Sequence, residues 1–235
     1  MEETNMETTK TSEKTSEKII VFCVIGETIS HNFMRSWTEI VGHCLMNNIK
    51  PVLSTHKHNT FVSKTSVLSI DIQENAPFSN KLEYDYIIFM KTNYLIDMNV
   101  IKKMINHDLD VLSCLTSNNF NLQQTNYIEE FDLSKVNTNK YEYGKIQDVN
   151  ELLKNADTQE GTETSSLLKV DYFDFNVVCI KKGVLEKMKL PWFNYDETVN
   201  DITGDIYFCN KCKENNIDLF VDLKLVVNSE KNVIC

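Results

Sequence analysis

An unbroken apolar run, Ile19-Ile20-Val21-Phe22-Cys23-Val24-Ile25, has the β-branched composition of a strand covered on both faces. After the break at Gly26-Glu27-Thr28 the period lengthens. Phe33, Trp37, Ile40, Val41, Cys44 and Leu45 recur at helical spacing, with Ser30 placed as N-cap. Pro51-Val52-Leu53-Ser54 reads as a second, short strand. Tyr84 to Met90 reads as a third, buried one, preceded by a polar linker over Glu74 to Lys81. Asp97 then caps a helix whose Val100, Ile101, Met104 and Ile105 form one stripe, and Asp110 to Leu115 is the next strand. Strands alternating with helices predict a single α/β domain, Rossmann-like, with a mostly parallel central sheet and right-handed crossovers.

The pattern then lapses. Residues 117–167 are rich in Asn, Thr, Glu and Gln with few apolar anchors, the composition of a long variable insertion. Strands return at Leu168 to Phe173 and Val177 to Ile180, and Lys181-Lys182-Gly183 turns into a short helix closed by Pro191-Trp192-Phe193. A last helix is expected over Thr203 to Asn215, with Ile206, Cys209 and Cys212 on one face, followed by strands Asp218 to Val221 and Leu225 to Val227. Residues 1–17, with the near-repeat Thr-Ser-Glu-Lys and no apolar periodicity, are expected to be a disordered tail, leaving 18–235 as the folded domain.

Composition narrows the function classes. The chain has 235 residues, 42% of them hydrophobic, enough to bury a full core, and its net charge of −10 is wrong for a nucleic-acid surface. Arg35 is the lone arginine, so any bound phosphate must rely on lysine, backbone amides or helix ends. The abundance of Asn and Ile fits an AT-rich source such as a large virus or a protist. The seven cysteines sit mostly in apolar runs, as reduced core thiols do; Cys209-x-x-Cys212 has no second pair and no nearby histidine to complete a metal site. No stretch reaches the length of a membrane span, so a cytoplasmic protein is expected. No Walker loop, G-x-G-x-x-G or Ser-His-Asp order is present, His56-Lys57-His58 reads as a surface cluster, and His31, His43 and His107 stand isolated.

Four segments, in order, resemble the GT-A glycosyltransferases, in particular short soluble members related to family 2 that occur in phages and large viruses. Tyr84 to Asn93 is similar to the strand "YDYILFIDSD", and Val100 to Leu115 to the helix and strand after it, including the His107-Asp108 turn. Val170 to Phe193 is similar to the segment ending in "PWF", and Thr203 to Asp222 to "GEDVYFC" and its trailing "VD". The resemblance implies transfer of a sugar from a nucleotide-diphosphate donor to a hydroxyl on a glycan or protein acceptor.

Family members hold a Mg²⁺ or Mn²⁺ ion with an Asp-x-Asp tripeptide and a later histidine, because hard oxygen ligands suit these cations. Here the tripeptide position reads Lys91-Thr92-Asn93 and the late position falls at Ser229 within Asn228-Ser229-Glu230. Both ligand sites are lost together, so no metal cofactor and weak or no metal dependence are expected. Lys91 would supply positive charge where the ion would sit, with Asn93 beside it. By the same resemblance Gly26, Thr28 and Lys64 fall where the nucleotide is contacted, and Asp205 matches the general base of inverting enzymes, with Gly204 replacing the first acid of that motif. Trp192 would offer a platform for the acceptor sugar. Against Asp205 as a base stands its other reading, an acid favoured at a helix start by the dipole. Phe173-Asp174-Phe175-Asn176 adds bulk where the family's backbone approaches the donor, and this motivates an alternative: a degenerate transferase kept as a binding or scaffold module.

Overall fold

A computed structural model describes residues 17–26, 28–56, 84–116, 125–129, 151, 166–189, 191–193 and 204–230. Strand β1 (Lys18–Ile25) is the first apolar run, and helix α1 (His31–Met46) follows it, with the Ser30 hydroxyl accepting from the Phe33 N–H at 2.9 Å. Strand β2 (Ile49–His56) and strand β3 (Tyr86–Lys91) flank β1, both parallel to it. Helix α2 (Met98–Asn106) starts at Asp97, whose carboxylate accepts from Asn99 and Val100 N–H groups at 2.7 and 3.0 Å. Both expected caps are therefore present, each satisfying donors that a helix start leaves unpaired.

Strand β4 (Val111–Leu115) comes next, then β5 (Tyr127–Ile128), β6 (Leu167–Val170), β7 (Tyr172–Phe173) and β8 (Val177–Lys181). The short helix α3 (Val184–Lys187), helix α4 (Gly204–Glu214) and strand β9 (Leu219–Val226) complete the order. The central sheet has seven strands in the order β2-β1-β3-β8-β4-β9-β6, and β5 pairs with β7 apart from it.

The expected mostly parallel sheet is instead mixed. β1–β2, β1–β3 and β4–β9 are parallel, but β3–β8, β4–β8 and β6–β9 are antiparallel. Two of these pairs come from β8, which wedges between β3 and β4 and runs against both, and the third from the edge strand β6, which runs against β9. An apolar run such as Val177 to Ile180 fixes burial on both faces, and says nothing of direction. Two smaller expectations also change. The two final strands are one strand, β9, whose pairing to β4 shifts register between Cys114 and Leu115. Within the expected insertion, Tyr127 and Ile128 are buried and pair with Phe173 and Tyr172. The expected tail over 1–17, save Glu17, and most of 117–167 lie outside the described residues.

Alternation along the strands sends successive side chains to opposite layers. Ile20, Phe22 and Val24 of β1 pack with Phe33, Ile40 and Cys44 of α1 and Ile101, Met104 and Ile105 of α2. Val21, Cys23 and Ile25 join the opposite cluster with Ile206, Cys209 and Cys212 of α4. Each such side chain contributes about 1.5–3 kcal/mol on burial.

Three helices end on Asn or Asp rather than Gly. Asn48, Asp108 and Asn216 follow α1, α2 and α4 with φ of 55°, 51° and 56°, the left-handed conformation that closes a helix. After α4 the Ile217 N–H reaches back to the Cys212 carbonyl at 2.9 Å. None of the described helices is long and apolar enough to cross a membrane.

Candidate functional site

The ends of β1 and β3 meet tightly. The Thr92 N–H donates to the Ile25 carbonyl at 2.9 Å, and a Cβ added at Gly26 would lie 1.9 Å from Thr92 Oγ1, so only glycine fits there. Gly26 thus has a structural reason to be present, whatever else the loop contacts. Thr28 beside it is exposed.

Lys91 ends β3. Its neighbour Met90 belongs to the α1/α2 layer, so alternation turns Lys91 to the α4 layer. There its Nζ donates to Asn176 Oδ1 at 2.8 Å, while its backbone N–H donates to the Asn176 carbonyl at 3.0 Å. Burial lowers the Lys91 ammonium from its ordinary pKa, and attraction to Asp174 works against that lowering.

Asn176 opens a chain of buried polar groups. Its Nδ2 donates to Thr116 Oγ1 at 2.8 Å, the Thr116 N–H donates to Asn126 Oδ1 at 2.8 Å, and Asn126 Nδ2 donates to the Cys114 carbonyl at 3.1 Å. Such linked bonds hold the lysine head in one place at low local dielectric.

Asp205 reaches the same turn from the other side. It stands in the first turn of α4, and its Oδ2 accepts from the Phe175 N–H at 3.1 Å. The turn Asp174-Phe175-Asn176 therefore receives an ammonium from β3 and a carboxylate from α4. Phe175 between them is fully buried in an aromatic cluster, 5.3 Å from Phe89, 5.2 Å from Phe193 and 4.9 Å from Phe208, ring centre to ring centre.

The remaining expected site residues scatter. Asn93 lies against the late segment: its carbonyl accepts from the Glu230 N–H at 2.6 Å, and Tyr94 bridges to Ser229. Glu230 Oε1 accepts from Asn32 at 2.6 Å, and its Oε2 is buried with no hydrogen-bond partner among the described residues. Trp192 is 8% exposed and donates its indole N–H to the Leu185 and Met188 carbonyls at 3.0 and 3.2 Å, so it closes α3 within the core and offers no open platform. Lys64 lies outside the described residues.

Two features were missed from the sequence. A cleft of about 500 Å³ between α1 and residues 95–97 is lined by Asn32, Arg35, Asp97 and Asn228, and neither Lys91 nor Asp205 borders it. His107, read as isolated, holds Asp222 at 2.9 Å from across 115 residues. A resemblance to "VD" marked Asp222, but nothing in the spacing announced its partner.

The residues at the strand end do not fit a hard dication. Lys91 brings positive charge to the place, Thr92 and Asn93 are neutral, and among the described residues no three His, Cys, Asp or Glu groups converge as metal ligands. The thiols of Cys209 and Cys212 are buried in the core, where desolvation pushes the Cys212 thiol up.

No protein-family model matches the chain, and no curated protein does. Among solved structures, the crystal structure of A197 from STIV is similar at a TM-score of 0.50 and 12% identity, with 93% of this chain and 96% of that chain covered. At that identity the likeness is one of fold, and what is established is a mixed α/β domain with the same overall arrangement as A197.

Proposed function

We propose that the chain is a glycosyltransferase of GT-A type, moving a sugar from a nucleotide-diphosphate donor to a hydroxyl acceptor with inversion and without a dication. The observation that carries this reading is the convergence of Lys91 and Asp205 on the turn 174–176. In the reaction Asp205 takes the proton of the acceptor hydroxyl, the freed oxygen bonds to the anomeric carbon, and the bond from that carbon to the β-phosphate oxygen breaks. The nucleoside diphosphate leaves with the electron pair, its growing charge facing the Lys91 ammonium. One unit charge a few Å away is worth about 4 kcal/mol at an effective dielectric near 20, roughly half what a divalent ion gives. The ammonium has three donors, one of which Asn176 takes.

A second reading, a binding module that has kept the sheet and lost the chemistry, is favoured by Phe175. Its ring is buried against Phe89, Phe193 and Phe208 in the turn that both side chains reach, and the Asp205 carboxylate is already engaged by a backbone amide. A panel of UDP-, GDP- and dTDP-sugars separates the two, assayed for transfer, hydrolysis and saturable binding with and without EDTA. Turnover that survives EDTA and falls in Asp205→Asn supports the transferase. Neither turnover nor saturable binding across the panel removes it.

A further inference from the structure

Helix α1 carries more apolar surface than the core uses. Phe33, Ile40 and Cys44 are buried, and beside them runs a second stripe, Met34, Val41 and Leu45 with Thr38 between, in which Met34 is 46% and Leu45 68% exposed. We propose that this stripe and the neighbouring edge strand β2 dock a second copy of the chain about a two-fold axis, helix against helix.

The sheet places the stripe at its edge. Asn32, Ser36 and Glu39 on the other flank of α1 border the cleft toward residues 95–97, so the stripe lies on the side of β2, an outermost strand among the described residues. From β2 comes Leu53, 44% exposed; it is in register with Phe22 of the α1 layer and so turns to the same side. Half-buried Trp37 completes the surface, edge-on to Phe22 at 5.1 Å between ring centres. Of the large apolar side chains that the described residues leave exposed, Ile29, Met34, Leu45, Met46 and Leu53 belong to this region, and only Leu95 and Val226 do not. Concentration of this kind marks a contact surface, whereas scattered exposure does not.

Charge selects the occupant. Two chains at −10 each repel, so a copy can dock only where the face itself is neutral. In a chain that is 25% charged, the sixteen residues of α1 hold just Arg35 and Glu39 as formal charges, and these pair with each other at 3.2 Å. A basic partner would need acids that this face lacks.

Gly42 is the independent sign. A Cβ added there would meet nothing within 4 Å, so one copy of the fold has no use for a glycine, and glycine is disfavoured inside a helix. It follows Thr38 by one turn and precedes Leu45 by another, where its missing side chain lets a second helix approach closely. Thr38 brings no unpaired donor to such a contact, because its hydroxyl donates to the Met34 carbonyl at 2.8 Å. Strand addition is disfavoured by Lys50 and Pro51 on β2, the residue types that blunt an open edge. A strip about 24 Å long and about 20 Å wide gives roughly 1,000 Å² buried per pair, the low end for a specific interface, hence a reversible dimer.

Sedimentation of the full chain from about 5 to 500 µM should raise the weight-average mass from one copy toward two, with a Kd of about 10–100 µM. Trp37 emission should change over the same range, since the other tryptophan, Trp192, is sealed in the core. Leu45→Glu and Gly42→Gln, both at positions that a single copy leaves open, should keep the far-ultraviolet dichroism of the parent and weaken association at least about tenfold. Val226→Glu adds the same charge as Leu45→Glu at an exposed position on the cleft side of α1, and should leave the Kd unchanged. A single-copy mass at the highest concentration overturns the proposal and leaves the stripe to a partner of different sequence. A dimer indifferent to both α1 variants, or one weakened as much by Val226→Glu, overturns it too.

Discussion

Replacing Gly26 by Ala forces a collision whose size can be worked out atom by atom. The new methyl would stand 1.9 Å from Thr92 Oγ1 and 2.8 Å from both Thr92 Cβ and Cγ2, well inside van der Waals contact. Thr92 cannot swing away freely, since it is buried and its N–H is tied to the Ile25 carbonyl at 2.9 Å. Overpacking of this kind costs about 1–3 kcal/mol, which for a chain of this length lowers the melting temperature by about 2–4 °C per kcal/mol. Thr92→Ala removes Oγ1 and Cγ2 but keeps the Cβ, so it should relieve the clash in part; Thr92→Gly removes all three atoms. Urea unfolding of the four members of the Gly26→Ala/Thr92→Gly cycle measures the coupling, which should restore about 1 kcal/mol or more in the double variant. A Gly26→Ala protein within about 0.5 kcal/mol of the parent, or a strictly additive cycle, would refute the close approach of β1 and β3.

Asp205→Asn keeps an oxygen that can accept from the Phe175 N–H, so stability should fall by only about 0.3–1 kcal/mol for the lost charge at the helix start, whereas transfer should drop about 10²–10⁴-fold; a matched loss of both would make the carboxylate purely structural. For Lys91 the sign is fixed by its lowered pKa: between the folded value and the ordinary value near 10.5 the unfolded chain binds more protons, so this group's contribution to stability rises with pH there. Subtracting the Lys91→Met profile from the wild type should reveal that rise, and a flat difference contradicts the buried ammonium. Trp192→Phe leaves the Met188 carbonyl without its indole donor, while the Leu185 carbonyl keeps the Met188 N–H, and should cost about 1–3 kcal/mol in chemical denaturation, against near-neutrality for a surface tryptophan.

Local signals were legible where one residue carries them. Ser30 and Asp97 cap as their side-chain chemistry requires, and the apolar runs of β1, β3 and β4 announce strands sealed on both faces. The direction of β8 was not legible, because the same run is buried whichever way it points, and neither was the union of the last two strands through exposed Lys224. The site was half legible. Asp205 and Lys91 stand out singly, but their meeting depends on Asn176, 85 residues from Lys91, and on a turn whose bulk looked only like an obstruction. His107 and Asp222 show the same limit, since pairing across distant elements leaves no periodic trace.

Among the described residues six free cysteines lie buried and divided between the layers: Cys44, Cys114 and Cys179 on the side of α1 and α2, Cys23, Cys209 and Cys212 on the side of α4. Desolvation pushes the thiols of Cys44, Cys114, Cys179 and Cys212 up, that of Cys179 to about 12, so at these positions an alkylating reagent can reach a thiolate only when the surrounding layer parts. The molecule thus carries native clocks on each side of its sheet, and the order in which they are consumed would reveal which half breathes first.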